Sequence, residues 1–214
     1  MIKAVIFDRD GVLIDSEAVH LTSIKGALAE LGVIFDDHDA DFIIGRTPLD
    51  YKEKFIAKYH VDWDQYITKQ KAIFTKLFDP NSLLIKESVA LALALKREGL
   101  KLGLATSGGK AATQTMLEAT GLLQLFEVVV AREDCNERKP SPESYLLTAK
   151  KLGVSPDGCI AIEDTSIGLE AAKRAGMKCI ALKTSLTGQN FTKADLIISR
   201  QDLNFERIKS LIED

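Results

Sequence analysis

The sequence predicts an α/β fold: a doubly wound, Rossmann-like parallel sheet with helices on both faces, and a small helical domain inserted after the first strand. Three observations predict it. Short runs rich in Val, Ile and Leu recur without polar alternation, as expected of strands buried on both faces. Helical patterns alternate with these runs, which argues for parallel strands joined by crossover helices. The alternation breaks once, between the first strand and Leu102, over about ninety residues.

The strand candidates in order are Lys3–Phe7, Leu102–Thr106, Val128–Ala131, Cys159–Ile162, Lys178–Leu182 and Leu196–Ile198. Helical segments fall at Ser88–Arg97, Lys110–Thr120, Pro142–Leu152 and Ile167–Ala175, and Phe205–Ile212 closes the chain. Inside the interruption, Glu17–Leu31 is amphipathic, with Leu21, Ile24, Leu28 and Leu31 on one face and Asp15 or Ser16 as its N-cap. Helical pattern continues through Pro48–His60 and Asp64–Phe78. Tyr51, Phe55, Tyr59, Trp63, Tyr66, Phe74 and Phe78 concentrate there, which reads as a private hydrophobic core. The expected division is residues 1–16 with 81–214 as the α/β core and residues 17–80 as the helical insert.

Composition narrows the function. The chain has 214 residues, 46% of them hydrophobic, enough for one sizeable core and a smaller satellite. A net charge of −3 and scattered Lys and Arg give no electrostatic case for nucleic acid. Cys135, Cys159 and Cys179 match no paired-cysteine metal motif, and a reducing compartment fits them. No run approaches a membrane span or a secretory leader. The expectation is a cytoplasmic protein that acts without a membrane, and nothing in the sequence demands more than a monomer.

In an open parallel sheet, ligands bind beyond the carboxyl ends of the strands. After the first strand come Asp8, Arg9, Asp10 and Gly11; after the second, Thr106, Ser107, Gly108 and Gly109. Beyond the third lies Lys139-Pro140; after the fourth, Glu163, Asp164, Thr165 and Ser166. Each group has an ordinary structural reading. Asp10-Gly11 could be a turn, Thr106 or Ser107 a helix cap, Lys139 a solvated lysine, and Asp164 or Ser166 the cap of the helix from Ile167. Together at one sheet edge they are harder to explain, because clustered carboxylates repel unless a cation neutralises them. Hard oxygen ligands favour Mg²⁺. A lysine and a turn rich in backbone N–H groups beside that cation would cradle an anion. That combination is the equipment of phosphoryl transfer.

Four stretches carry a resemblance: Phe7–Glu17, Leu104–Gly108, Arg138–Glu143 and Ile162–Ala172. In this order they resemble the haloacid dehalogenase-like hydrolase superfamily, over nearly the whole chain. The helical insert sits where the subclass I cap domain sits, and the phosphoglycolate phosphatase, sugar-phosphate phosphatase and β-phosphoglucomutase group is the most similar. The resemblance implies Asp8 as the nucleophile that forms an aspartyl phosphate and Asp10 as general acid and base. It implies Thr106, Ser107 and Gly108 around the transferring phosphate, with Lys139 neutralising charge. It implies Mg²⁺ on Asp8, the Asp10 carbonyl and Asp164, with Glu163 as a further candidate. His20 and Arg46, in the cap loop Gly45-Arg46-Thr47, are the implied cap contacts to a small phosphorylated metabolite.

Two departures stand out. Arg9 occupies a position where relatives mostly have an apolar residue, and its side chain is expected to point away from the site. Lys86-Glu87 replaces the Pro-Gly that often precedes the helix before the second strand. Three functions compete: a phosphatase, a phosphomutase of the β-phosphoglucomutase type, and a binding protein that kept the fold. Binding alone does not require Asp10, which disfavours the last. Mutase relatives place an arginine three positions after the cap-loop glycine, where this chain has Pro48, which favours the phosphatase.

Overall fold

The structure, a computed structural model, describes residues 1–43, 46, 48–184 and 188–213. The cap-loop residues Gly45 and Thr47 lie outside the described residues. The chain divides into two compact units, one formed by Met1–Asp15 with most of the chain after Asp79, the other by Ser16–Asp79.

The first unit is built on six parallel strands: β1 (Ala4–Phe7), β2 (Lys101–Ala105), β3 (Val128–Val130), β4 (Cys159–Glu163), β5 (Lys178–Lys183) and β6 (Leu196–Ser199). Their order is β3-β2-β1-β4-β5-β6. The chain therefore walks outward from β1 to β3, then crosses back to place β4 on the other side of β1. That reversal is the topological switch point, where α/β sheets form a crevice. Phe7 lies opposite both Leu104 and Ile162, so the three central strands end level with one another. Asp8, Ala105-Thr106 and Glu163-Asp164 consequently leave the sheet side by side.

β1 and β4 are buried at every position, which explains why neither shows polar alternation in sequence. On one face the core joins Ala4, Ile6 and Ala161 to Tyr145, Ala149 and Leu152. These last three belong to α7 (Glu143–Leu152) and recur at helical spacing toward the sheet. Burying a side chain such as Leu152 stabilises the fold by about 1.5–3 kcal/mol. The other helices of this unit are α5 (Lys86–Arg97), α6 (Lys110–Ala119), α8 (Ser166–Arg174) and α9 (Phe205–Glu213).

The second unit holds α1 (Glu17–Glu30), α2 (Ala40–Ile43), α3 (Pro48–Tyr59) and α4 (Trp63–Leu77). Tyr51, Phe55 and Tyr59 line one side of α3 and meet Trp63 and Tyr66 of α4 in a buried cluster with Ile24, Ala27 and Leu28 of α1. Phe55 sits at its centre, with ring centroids 4.7 Å from Tyr59 and 4.5 Å from Tyr66. Asp62 caps α4 by accepting from Gln65 N at 2.8 Å. Phe74 and Phe78 stand outside this cluster; they stack on each other, and His20 stacks on Phe74 at 4.3 Å. The short helix α2 left no apolar period in the sequence long enough to be recognised.

Candidate active site

At the end of β1, Asp8 is held by the sheet before it is held by side chains. Its backbone N–H donates to Ile162 O at 3.0 Å, which continues the β1–β4 ladder by one residue. Its carboxylate Oδ1 accepts from Lys139 Nζ at 2.6 Å. Lys139 also donates to Glu163 Oε1 at 2.5 Å and to Ala105 O at 3.1 Å. Tyr145 completes the group: its hydroxyl donates to Glu163 Oε1 at 2.6 Å and accepts from Lys139 at 3.3 Å. The peptide bond Lys139–Pro140 is cis.

These charges are buried together. Lys139 is 7% exposed at its side chain, and Glu163 1%. Burial opposes the charge on Lys139, but the Asp8 and Glu163 carboxylates outweigh it and hold the ammonium above its usual range. For Asp8 the balance runs the other way. Burial pushes its carboxyl up to about 7, with Glu163 and Asp10 adding to the rise and Lys139 pulling against it. Burial raises the Tyr145 hydroxyl well above the usual phenol range, so it stays a hydrogen-bond donor.

Asp164 is 3% exposed and lies directly over Gly11. A Cβ on Gly11 would fall 1.7 Å from its Oδ2, and Gly11 also has φ +73°, so the position excludes side chains on two grounds. One carboxylate oxygen from each of Asp8, Glu163 and Asp164 falls within 4.8 Å of the others. A buried, all-carboxylate set of this size fits a hard divalent cation such as Mg²⁺. Within the set, Oε1 of Glu163 accepts from Lys139 and Tyr145, and Oδ1 of Asp8 accepts from Lys139.

On the far side of Asp8, Thr106 is buried and its backbone N–H donates to Val130 O at 3.0 Å. Its hydroxyl accepts from Gly108 N at 2.9 Å and so shapes the Ser107-Gly108-Gly109 turn. The cap of α6 is Gly109, not Thr106 or Ser107, and the cap of α8 is Thr165, not Asp164 or Ser166; Thr165 Oγ1 accepts from Gly168 N at 3.1 Å. The capping alternative for Thr106, Ser107, Asp164 and Ser166 therefore does not hold.

One expectation is overturned. Arg9 does not point away from the site but folds onto it, pairing with the Asp10 carboxylate at 2.6 Å. Neighbouring charge holds this cation where burial alone would disfavour it, with Asp10 the main compensation. The structure thus brings Asp8, Asp10, Thr106, Ser107, Gly108, Lys139, Glu163 and Asp164 to one edge of the first unit. His20 and the exposed Arg46 belong to the second unit. Sequence reasoning missed Tyr145. A tyrosine three residues past Pro142 carries only a helical-spacing signal, which a phenylalanine would give equally.

Comparison with known proteins points to one family. The family model for haloacid dehalogenase-like hydrolases matches residues 5–182. The Bacillus subtilis protein YhcW is 37% identical over 193 residues, covering 88% of this chain and 86% of that one. The validoxylamine A 7'-phosphate phosphatase of Streptomyces hygroscopicus is 29% identical, covering 92% and 93%. The crystal structure of β-phosphoglucomutase from Clostridium difficile superposes with a TM-score of 0.80 at 26% identity, covering 100% of this chain and 98% of that one. The chain belongs to the haloacid dehalogenase-like hydrolase family, and within it to the phosphatases.

Proposed function

We propose that this phosphatase hydrolyses small phosphate monoesters, sugar phosphates or phosphoglycolate-like esters, with Mg²⁺ and through an aspartyl phosphate on Asp8. The observation that carries the reading is the Asp8–Lys139 pair at 2.6 Å, buried beside Asp164 and the Thr106–Gly109 turn. In the first half-reaction, an Asp8 carboxylate oxygen bonds to phosphorus while the bond from phosphorus to the leaving oxygen breaks. Asp10 gives that oxygen a proton. In the second, Asp10 takes a proton from water as the water oxygen bonds to phosphorus. The Asp8–phosphorus bond breaks, and inorganic phosphate leaves. Lys139 faces Asp8 throughout and offsets charge on the oxyanion, while Thr106, Ser107 and the Gly108 turn orient the phosphoryl group. Asp8, Asp164 and the Asp10 carbonyl would hold Mg²⁺, with Glu163 supporting through Lys139. The cation would supply electrostatic stabilisation of the phosphoryl oxygens.

The Ser16–Asp79 unit serves in this reading as a cap that selects the rest of the substrate, with Arg46 as its anion contact. A mutase must bind a bisphosphate intermediate, which needs a second phosphate site. Pro48 begins α3 at the position where mutase relatives have an arginine, which favours water as the final acceptor. Of the two lysines that could still supply charge for a second phosphate, Lys69 and Lys71, Lys69 is paired with Glu30 at 2.8 Å. Phosphorus NMR tests this directly. A phosphate signal should grow from sugar phosphates with little isomer formed; rapid conversion of β-glucose 1-phosphate to the 6-phosphate without free phosphate, after priming with a bisphosphate, would reverse the assignment.

A further inference from the structure

The guanidinium of Arg9 is tied at three points, and the chemistry above leaves it without a task. Nε and Nη2 both donate to Oδ2 of Asp10, at 3.0 and 2.6 Å. Nη1 donates to Thr113 Oγ1 at 2.8 Å. The Thr113 hydroxyl gives its own proton to Gly109 O at 2.9 Å, so its oxygen serves Arg9 as an acceptor. Thr113 is fully buried on α6, the helix that the Ser107-Gly108-Gly109 turn begins. The turn itself is shaped around the cation. A Cβ on Gly108 would lie 2.3 Å from Nη2, 2.4 Å from Cζ and 2.5 Å from Nη1. The Arg9 side chain is 13% exposed, against 32% for Asp10. A planar, forked cation can make these bonds in two directions at once; an ammonium cannot.

We infer that Arg9 is a positioning residue, which fixes the Asp10 carboxyl relative to the turn that receives the phosphoryl group. Both of its bonds to Asp10 end on one oxygen, Oδ2, so the carboxyl is gripped along that edge. Through Thr113 the same side chain fastens Asp10 to the helix that follows the phosphate-binding turn, and donor and acceptor of the proton keep a set spacing. This inference rests on the phosphatase reading above and adds a residue to it.

The test is kcat/KM of the full chain with Mg²⁺ on p-nitrophenyl phosphate, phenyl phosphate and glycerol 2-phosphate. This ratio reports the steps through departure of the leaving group. A nitrophenolate leaves without a proton, whereas an alkoxide needs one. A positioned acid contributes roughly 10²–10⁴-fold, so losing its alignment should forfeit part of that. Arg9→Met should lower kcat/KM about tenfold on glycerol 2-phosphate and less than about twofold on p-nitrophenyl phosphate. Arg9→Lys should recover part of the loss. Thr113→Val keeps the shape of α6 and cuts only the anchor; it should give the same ranking of substrates at about threefold, and it decides the matter if Arg9→Met does not fold. An equal loss on all three esters, as a phosphate ligand or a simple fold contact would give, overturns the inference, and so does no loss. Phosphate release by the unsubstituted chain alongside a flat response in the variants removes the role of Arg9 and leaves the phosphatase reading standing.

Discussion

Asp8 is pulled two ways, and the pull has a sign that pH exposes. Its carboxyl is raised from an ordinary 3.8 to about 7, chiefly by burial. The folded chain therefore holds a proton there that the unfolded chain has released. Stability from this group is complete below the ordinary value and is lost as pH climbs through about 7. A cation seated on Asp8 and Asp164 needs the ionised form and should repair that loss. Added Mg²⁺ is expected to raise the melting temperature more at about pH 8 than at about pH 5, and in Asp8→Asn this difference should vanish. Equal shifts at both pH values would show that Asp8 is not among the ligands. Tyr145→Phe removes only the hydroxyl between Glu163 and Lys139, so Glu163 Oε1 keeps a single partner. A loss of about 1–2 kcal/mol in urea unfolding is expected, with turnover reduced several-fold; unchanged stability and turnover would make Tyr145 a packing residue. That Asp8, Asp10, Thr106, Lys139 and Asp164 meet at one sheet edge was legible in sequence, because short motifs follow the strands. Arg9 and Tyr145 were not, because their roles depend on partners far along the chain: Thr113, 104 positions from Arg9, and Glu163, 18 positions from Tyr145.

Among the elements, strands and helices of the α/β unit were readable because burial on both faces leaves unbroken apolar runs, and boundaries moved by only one or two residues. Caps were less readable. Thr165, not its neighbours, caps α8, since only the backbone path decides which hydroxyl reaches Gly168 N. The same glycine has a second duty. A Cβ on Gly168 would fall 2.0 Å from the Glu163 carboxylate, which Lys139 and Tyr145 prevent from moving aside. Gly168→Ala should therefore destabilise the fold by about 1–3 kcal/mol and lower activity with it. A variant with unaltered unfolding and turnover would mean that Glu163 has room to relax. The helix α2 escaped notice because four residues are too few for a helical period to register.

For the molecule as a whole, the order β3-β2-β1-β4-β5-β6 is what converts four separated motifs into one site, since the switch beside β1 sets Asp8 next to Glu163 and Asp164. The second unit keeps its own aromatic core. The interruption in the sequence's strand–helix rhythm announced it, but no residue in it names the substrate. If Arg46 is its anion contact, Arg46→Ala should raise KM roughly tenfold while changing kcat much less; an unchanged KM would remove Arg46 from the substrate site. The most direct test of the central claim is phosphate release from a panel of phosphorylated metabolites, with Mg²⁺ and with a chelator, by the wild-type chain and by Asp8→Asn. Release confined to wild type with Mg²⁺, and lower by roughly 10³-fold or more in a folded Asp8→Asn, is the expected result; full turnover by Asp8→Asn, or by wild type in chelator, would contradict it.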